Sequence, residues 1–119
     1  MNLTEIREYC LAKPAVTEAL PFDEQVLVFK VMDKIFLLTD INWEEKTVNL
    51  KCDPEYALEL RGEYDAVKPG YHMNKKHWNT VDFGAGLPDD FLRRLIDHSY
   101  DQVVAGLPRK LRDTLQRSP

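Results

Sequence analysis

The densest run of chemically capable side chains is Lys68-Pro69-Gly70-Tyr71-His72-Met73-Asn74-Lys75-Lys76-His77-Trp78-Asn79-Thr80. Three lysines, two histidines, two asparagines, a tyrosine and a tryptophan fall here without one carboxylate. Lysines at the tip of a hairpin reach phosphate oxygens, and a neighbouring aromatic ring stacks on a base or sugar. The candidate nucleic-acid contacts are therefore Lys68, His72, Asn74, Lys75, Lys76, His77, Trp78, Asn79 and Thr80. The same residue types suit a pocket for an anionic small ligand or a protein partner, with His72, Lys76, His77 and Trp78 as its lining. A third reading is a solvated turn whose Trp78 packs beneath the basic C-terminal segment.

Other chemistries find less support. His72 and His77 lack a nearby cysteine or carboxylate to finish a metal site, so no metal is expected. Cys10 and Cys52 have no CxxC spacing and suit neither a zinc site nor a disulfide framework. His98 and Ser99 are neighbours on a helix and diverge, so they form no catalytic pair, and His98 falls at the edge of the buried stripe. Gly84-x-Gly86 imitates the start of a dinucleotide fingerprint, but Asp89 takes the third glycine position and Asp89-Asp90 would repel a pyrophosphate. There is no P-loop, GxSxG or HExxH, and neither an enzyme nor a cofactor is expected.

The chain has 119 residues, 16 basic and 20 acidic side chains, and a formal charge of −4. That size predicts one domain over residues 1–119. A negative balance opposes indiscriminate binding to polyanions. The charge is uneven: residues 1–60 hold 6 basic and 12 acidic groups, and residues 61–119 hold 10 and 8. The start carries no basic region followed by an apolar one, and no apolar run is long enough for a membrane span. A cytoplasmic location is the expectation.

The elements that must position the basic run follow from patterning. Leu3, Ile6, Tyr9 and Cys10 recur at helical spacing, with Asn2 as N-cap and Pro14 as a stop. Lys13 to Gln25 reads as a loop. Val26–Met32 and Lys34–Asp40 read as a hairpin broken at Asp33. Val48, Leu50 and Cys52 alternate with polar residues as a half-buried strand. Asp53-Pro54-Glu55 opens a short helix ending near Gly62. Ala66–Phe83 forms a second hairpin with its tip at Asn74-Lys75-Lys76; His77, Asn79, Val81 and Phe83 share a face, and Trp78 and Thr80 turn outward. Pro88–Leu107 is the longest helix, with an outside pair Asp90–Arg94, and a final basic turn or helix docks Leu111 and Leu115. The expected class is α+β, a five-stranded mostly antiparallel sheet with helices packed on one face.

Four stretches carry a resemblance over roughly residues 1–110. They are Val26-Leu27-Val28-Phe29-Lys30-Val31, Asn49 to Glu55, Pro69 to Val81, and Leu95-Ile96-Asp97-His98-Ser99-Tyr100. The sequence resembles the MmcQ/YjbR family of small bacterial proteins, most specifically in Gly70–Val81. The resemblance implies a frataxin-like α+β sandwich with two projecting hairpins, the "double wing", and DNA binding as the family's usual description. It brings no catalytic residues. The second wing would be Val67–Phe83 and the first Val26–Asp40, where this chain departs from the pattern in having Asp23-Glu24 before the strand and no glycine at Met32-Asp33-Lys34.

Overall fold

A computed structural model describes residues 1–71 and 73–116; the candidate His72 and the terminal Arg117 lie outside the described residues. Helix α1 spans Leu3–Leu11 and opens with a reciprocal cap. The Asn2 side chain accepts from the Glu5 N–H at 2.8 Å, and the Asn2 N–H donates to Glu5 Oε1 at 3.0 Å. Such a box satisfies two otherwise orphaned donors and contributes about 1 kcal/mol. Ile6 and Cys10 are its fully buried side chains.

The segment expected to be a loop contains a strand, β1, at Val16–Ala19. The chain turns into it at Ala15, whose φ is 60°. Val16 and Thr17 favour extended backbone, but a four-residue run completed by Glu18 and Ala19 is too short to specify a strand locally. Pairing with β2 (Val26–Val31) orders it, and a two-bonded ion pair between Arg7 and Glu18 ties it to α1 at 2.9 and 2.6 Å. The sheet accordingly has six strands rather than five.

The first hairpin joins β2 to β3 (Lys34–Asp40) through Met32 and Asp33, with φ of 48° and 65°. Two positive φ angles give the tight turn whose twist matches the flanking strands, here made without glycine. Phe29 pairs with Leu37 but Lys30 pairs with Ile35, so Phe36 is an extra, bulged residue. Strand β4 is Thr47–Lys51, and Asp53 caps α2 (Pro54–Glu63) by accepting from the Tyr56 N–H at 3.1 Å. Strands β5 (Val67–Pro69) and β6 (Trp78–Asp82) complete an antiparallel sheet in the order β1-β2-β3-β4-β6-β5. The first arm of the second hairpin stops at Pro69, which leaves Tyr71 and Met73 in the connecting loop.

Helix α3 spans Asp89–Ala105 and α4 spans Arg109–Gln116. Asp90 pairs with Arg93 at 3.0 Å rather than with Arg94, which lies 5.7 Å over the Phe91 ring. One core cluster joins Ile6, Leu60, Leu92, Ile96 and Leu115 to the inward strand residues Phe29, Leu37, Leu50 and Val81. The alternate residues of β4 and β6 face the other way. Ser99 is fully buried in this core and answers the bulge: its hydroxyl donates to the Phe36 carbonyl at 2.5 Å and accepts from the Lys51 N–H at 2.8 Å. Among the described residues no helix is long and apolar enough to cross a membrane.

Candidate functional site

The basic hairpin is held from behind by one residue that sequence patterning did not single out, Arg61 on α2. Its Nε donates to Asn79 Oδ1 at 2.7 Å, and its Nη2 donates to the carbonyls of Lys75 and Trp78. Asn79 is 2% exposed and stands on the helix side of β6 with Val81. Its amide is thus an internal acceptor for a guanidinium, and the structure removes it from the nucleic-acid-facing set. A buried amide needs a partner, so a polar residue on the apolar side of an alternating strand was the available signal for such a brace.

The tip is ordered by its own side chains. Asn74 Oδ1 accepts from the Lys76 N–H at 2.9 Å, and the Asn74 carbonyl accepts from the His77 N–H at 3.2 Å. Lys75 Nζ donates back to the Gly70 carbonyl at 3.0 Å, which commits part of its charge to the loop. His77 is half-buried and its carbonyl accepts from the Cys52 N–H at 2.7 Å. Gly70 is required by close approach: a Cβ there would lie 2.8 Å from Trp78 Cβ and 2.9 Å from the Trp78 carbonyl oxygen.

Thr80 also works internally, donating to Asn49 Oδ1 at 2.5 Å and accepting from the Tyr71 N–H at 3.0 Å. Register places Trp78 opposite Lys51 and Thr80 opposite Asn49 and Lys68, on the sheet face turned away from the core that holds Leu115. Trp78 is half-buried there and does not sit beneath α4. Of the eight described candidates, Lys68, Asn74, Lys75 and Lys76 are exposed. The side chains of Lys68 and Lys76 have the fewest internal commitments. Beside the tip, Arg61, Lys75 and Lys76 meet Pro54, Glu55 and Leu58 around a groove of about 220 Å³.

Cys52, Asn79 and His98, far apart in sequence, line one cavity of about 10 Å³. Burial pushes the Cys52 thiol up to about 12, with the Asp53 charge adding to the effect. The thiol stays protonated at neutral pH, and nucleophilic chemistry needs the thiolate. His98 Nε2 meanwhile accepts from the Asp53 N–H at 3.1 Å. Among the described residues no group of three His, Cys, Asp or Glu side chains is placed to hold a metal ion.

Comparison with known proteins agrees with this architecture. The chain is 36% identical over 115 residues to the uncharacterised protein YjbR of Escherichia coli K12, covering 97% of this chain and 98% of that one. It is 39% identical over 104 residues to the uncharacterised protein YbdF of Escherichia coli O157:H7, covering 87% and 85%. The crystal structure of the Deinococcus radiodurans protein DR2400, domain DUF419, superposes with a TM-score of 0.89 at 37% identity, over 97% of this chain and 88% of that one. The family model described as YjbR matches residues 11–102, and the chain belongs to the YjbR family.

Proposed function

We propose that the domain is a non-enzymatic DNA-binding module that meets phosphate groups with the basic hairpin 67–83. The observation that supports this most is the Arg61 brace. It holds a hairpin bearing Lys68 and Lys76 in one shape, so little conformational entropy is lost when phosphates are met. Two to three phosphate contacts give weak, salt-sensitive affinity, with a slope of log K against log salt of about −2 to −3. The overall negative charge restricts contact to this end of the molecule. Two buried, unpaired cysteines suit a reducing, cytoplasmic setting.

A second reading, a protein or small anionic ligand at the same end, is favoured by the groove beside Leu58. That leucine is 66% exposed next to Lys75 and Lys76. The test is fluorescence anisotropy of a labelled duplex of about 20 base pairs over a salt series, with a Lys68→Glu/Lys76→Glu variant. Binding that falls with salt and is lost in the variant supports the DNA reading. Absence of binding at low salt refutes it and leaves the groove as the surface to pursue.

A further inference from the structure

Two large apolar side chains stand in water at opposite ends of the molecule, each beside charge of mainly one sign. Phe22, 66% exposed, lies in the loop between β1 and β2 and is followed by Asp23 and Glu24. That loop is tied down. Asp23 Oδ1 accepts from the Gln25 and Val26 N–H groups at 2.7 and 2.8 Å, and the Ile41 N–H donates to the Gln25 carbonyl at 2.7 Å. Leu58, equally exposed, lines the groove of about 220 Å³ on α2, where Arg61, Lys75 and Lys76 outnumber Glu55. Val26 pairs with Asp40 and Thr47 with Asp82, so the Phe22 loop leaves the sheet at the end where β4 starts. The groove lies past Lys51 and Trp78, where β4 ends. Phe22 therefore cannot reach the groove of its own chain.

We propose that the groove beside Leu58 takes Phe22 of a second copy of this chain, an inference that rests on the second reading above and names its partner. A cavity of about 150 Å³ holds a benzene ring, so the groove has room for one phenyl side chain. Against Pro54 and Leu58 the ring leaves water, which is the apolar part of the contact. The charges around it are complementary. Asp23 spends one oxygen on its own loop and Lys75 donates to the Gly70 carbonyl, so Glu24 and Lys76 are the groups left to meet. An ion pair at the rim of an apolar anchor fixes register and disfavours wrong partners. One sequence supplies both halves of this contact, an acidic aromatic loop and a basic apolar groove, which favours a copy over an unrelated protein. The halves sit at opposite ends, so copies meet head to tail. A contact centred on one ring and one ion pair belongs to the weak, transient class.

The experiment is sedimentation equilibrium at low salt, from about 10 μM to about 1 mM protein, a range that covers weak self-contact. The proteins are the wild type, Phe22→Ala, Glu24→Lys and Lys76→Glu, each checked for an unchanged melting temperature. The average mass of the wild type should rise with concentration. Phe22→Ala should weaken that association by about tenfold or more, the scale of one buried aromatic anchor. Each charge reversal alone should weaken it by about threefold or more. Mixed in equal amounts, Glu24→Lys and Lys76→Glu should recover the association, because each reversal then meets the other. A wild type that stays monomeric throughout overturns the inference, leaves the groove to a different partner, and does not touch the DNA reading. Association unchanged in Phe22→Ala, or reversal variants that fail to recover on mixing, overturns it as well and places the contact between copies elsewhere.

Discussion

Arg61 Nε lies 2.7 Å from Asn79 Oδ1, and this bond couples the second helix to the inner strand of the basic hairpin. The same guanidinium also donates to the Lys75 and Trp78 carbonyls, so three acceptors of the hairpin meet one side chain. Replacing it with alanine strands the buried Asn79 amide oxygen and frees the exposed Lys75 carbonyl, while the Trp78 carbonyl keeps its bond from the Gly70 N–H at 2.8 Å. The expected cost for Arg61→Ala is about 2–3 kcal/mol, the range for hydrogen bonds to a charged group. Lysine should not restore it, because an ammonium cannot reproduce the planar fork. Urea denaturation reads the stability. Amide exchange should quicken at residues 73–79 well before the rest of the sheet.

Gly70→Ala should destabilise the hairpin without touching any charge. The added methyl would meet Trp78 at two atoms, one of them backbone, at distances no ordinary contact shows. Relief requires shifting β5 away from β6, and overpacking of this kind costs about 1–3 kcal/mol. A melting curve checks the loss. Retained stability in Gly70→Ala would mean that the loop can open away from Trp78 at no cost.

Ser99→Ala should be among the more damaging single-atom deletions in the chain. The hydroxyl both donates to the bulged Phe36 carbonyl and accepts from the Lys51 N–H, all in the core. Removing it leaves two backbone groups unpaired, with an expected loss of about 2–4 kcal/mol. Threonine, which keeps the hydroxyl, should recover part of it if the extra methyl is accommodated.

The same serine shows where reading the chain stops. Helical periodicity assigns Ser99 to the buried stripe of α3, and it is buried, but the reason for a hydroxyl there is a β-bulge 63 residues away. Features written in neighbouring residues were legible: the Asn2 cap, Asp53-Pro54 opening α2, the turn at Asp33, and the alternation of Asn79 and Val81. Features owed to a distant partner were not. Strand β1 exists through β2 and Arg7, and the hairpin's rigidity exists through Arg61. Alternation placed Asn79 inward while the basic run suggested contact with a ligand. The structure resolves that conflict in favour of alternation.

His98 links the chain's stability to pH. Its Nε2 accepts from the Asp53 N–H at the start of α2, which requires a neutral ring, and Tyr56 packs edge-on at 5.0 Å. Burial lowers its pKa below the ordinary 6.5, against the opposing charges of Asp53 and Asp101. In the unfolded chain the ring therefore takes up a proton at higher pH than in the folded one. The contribution is fully present above about 6.5 and is lost as pH falls through the lowered folded value, because protonation then favours unfolding. His98→Gln keeps an acceptor for the Asp53 N–H and removes the titration. Denaturation of both proteins between pH 8 and pH 5 should show the wild type losing stability relative to His98→Gln as the pH drops. A difference that stays constant across the range would mean that His98 carries no linkage. A difference that moves the other way would mean that Asp53 and Asp101 outweigh burial at this ring.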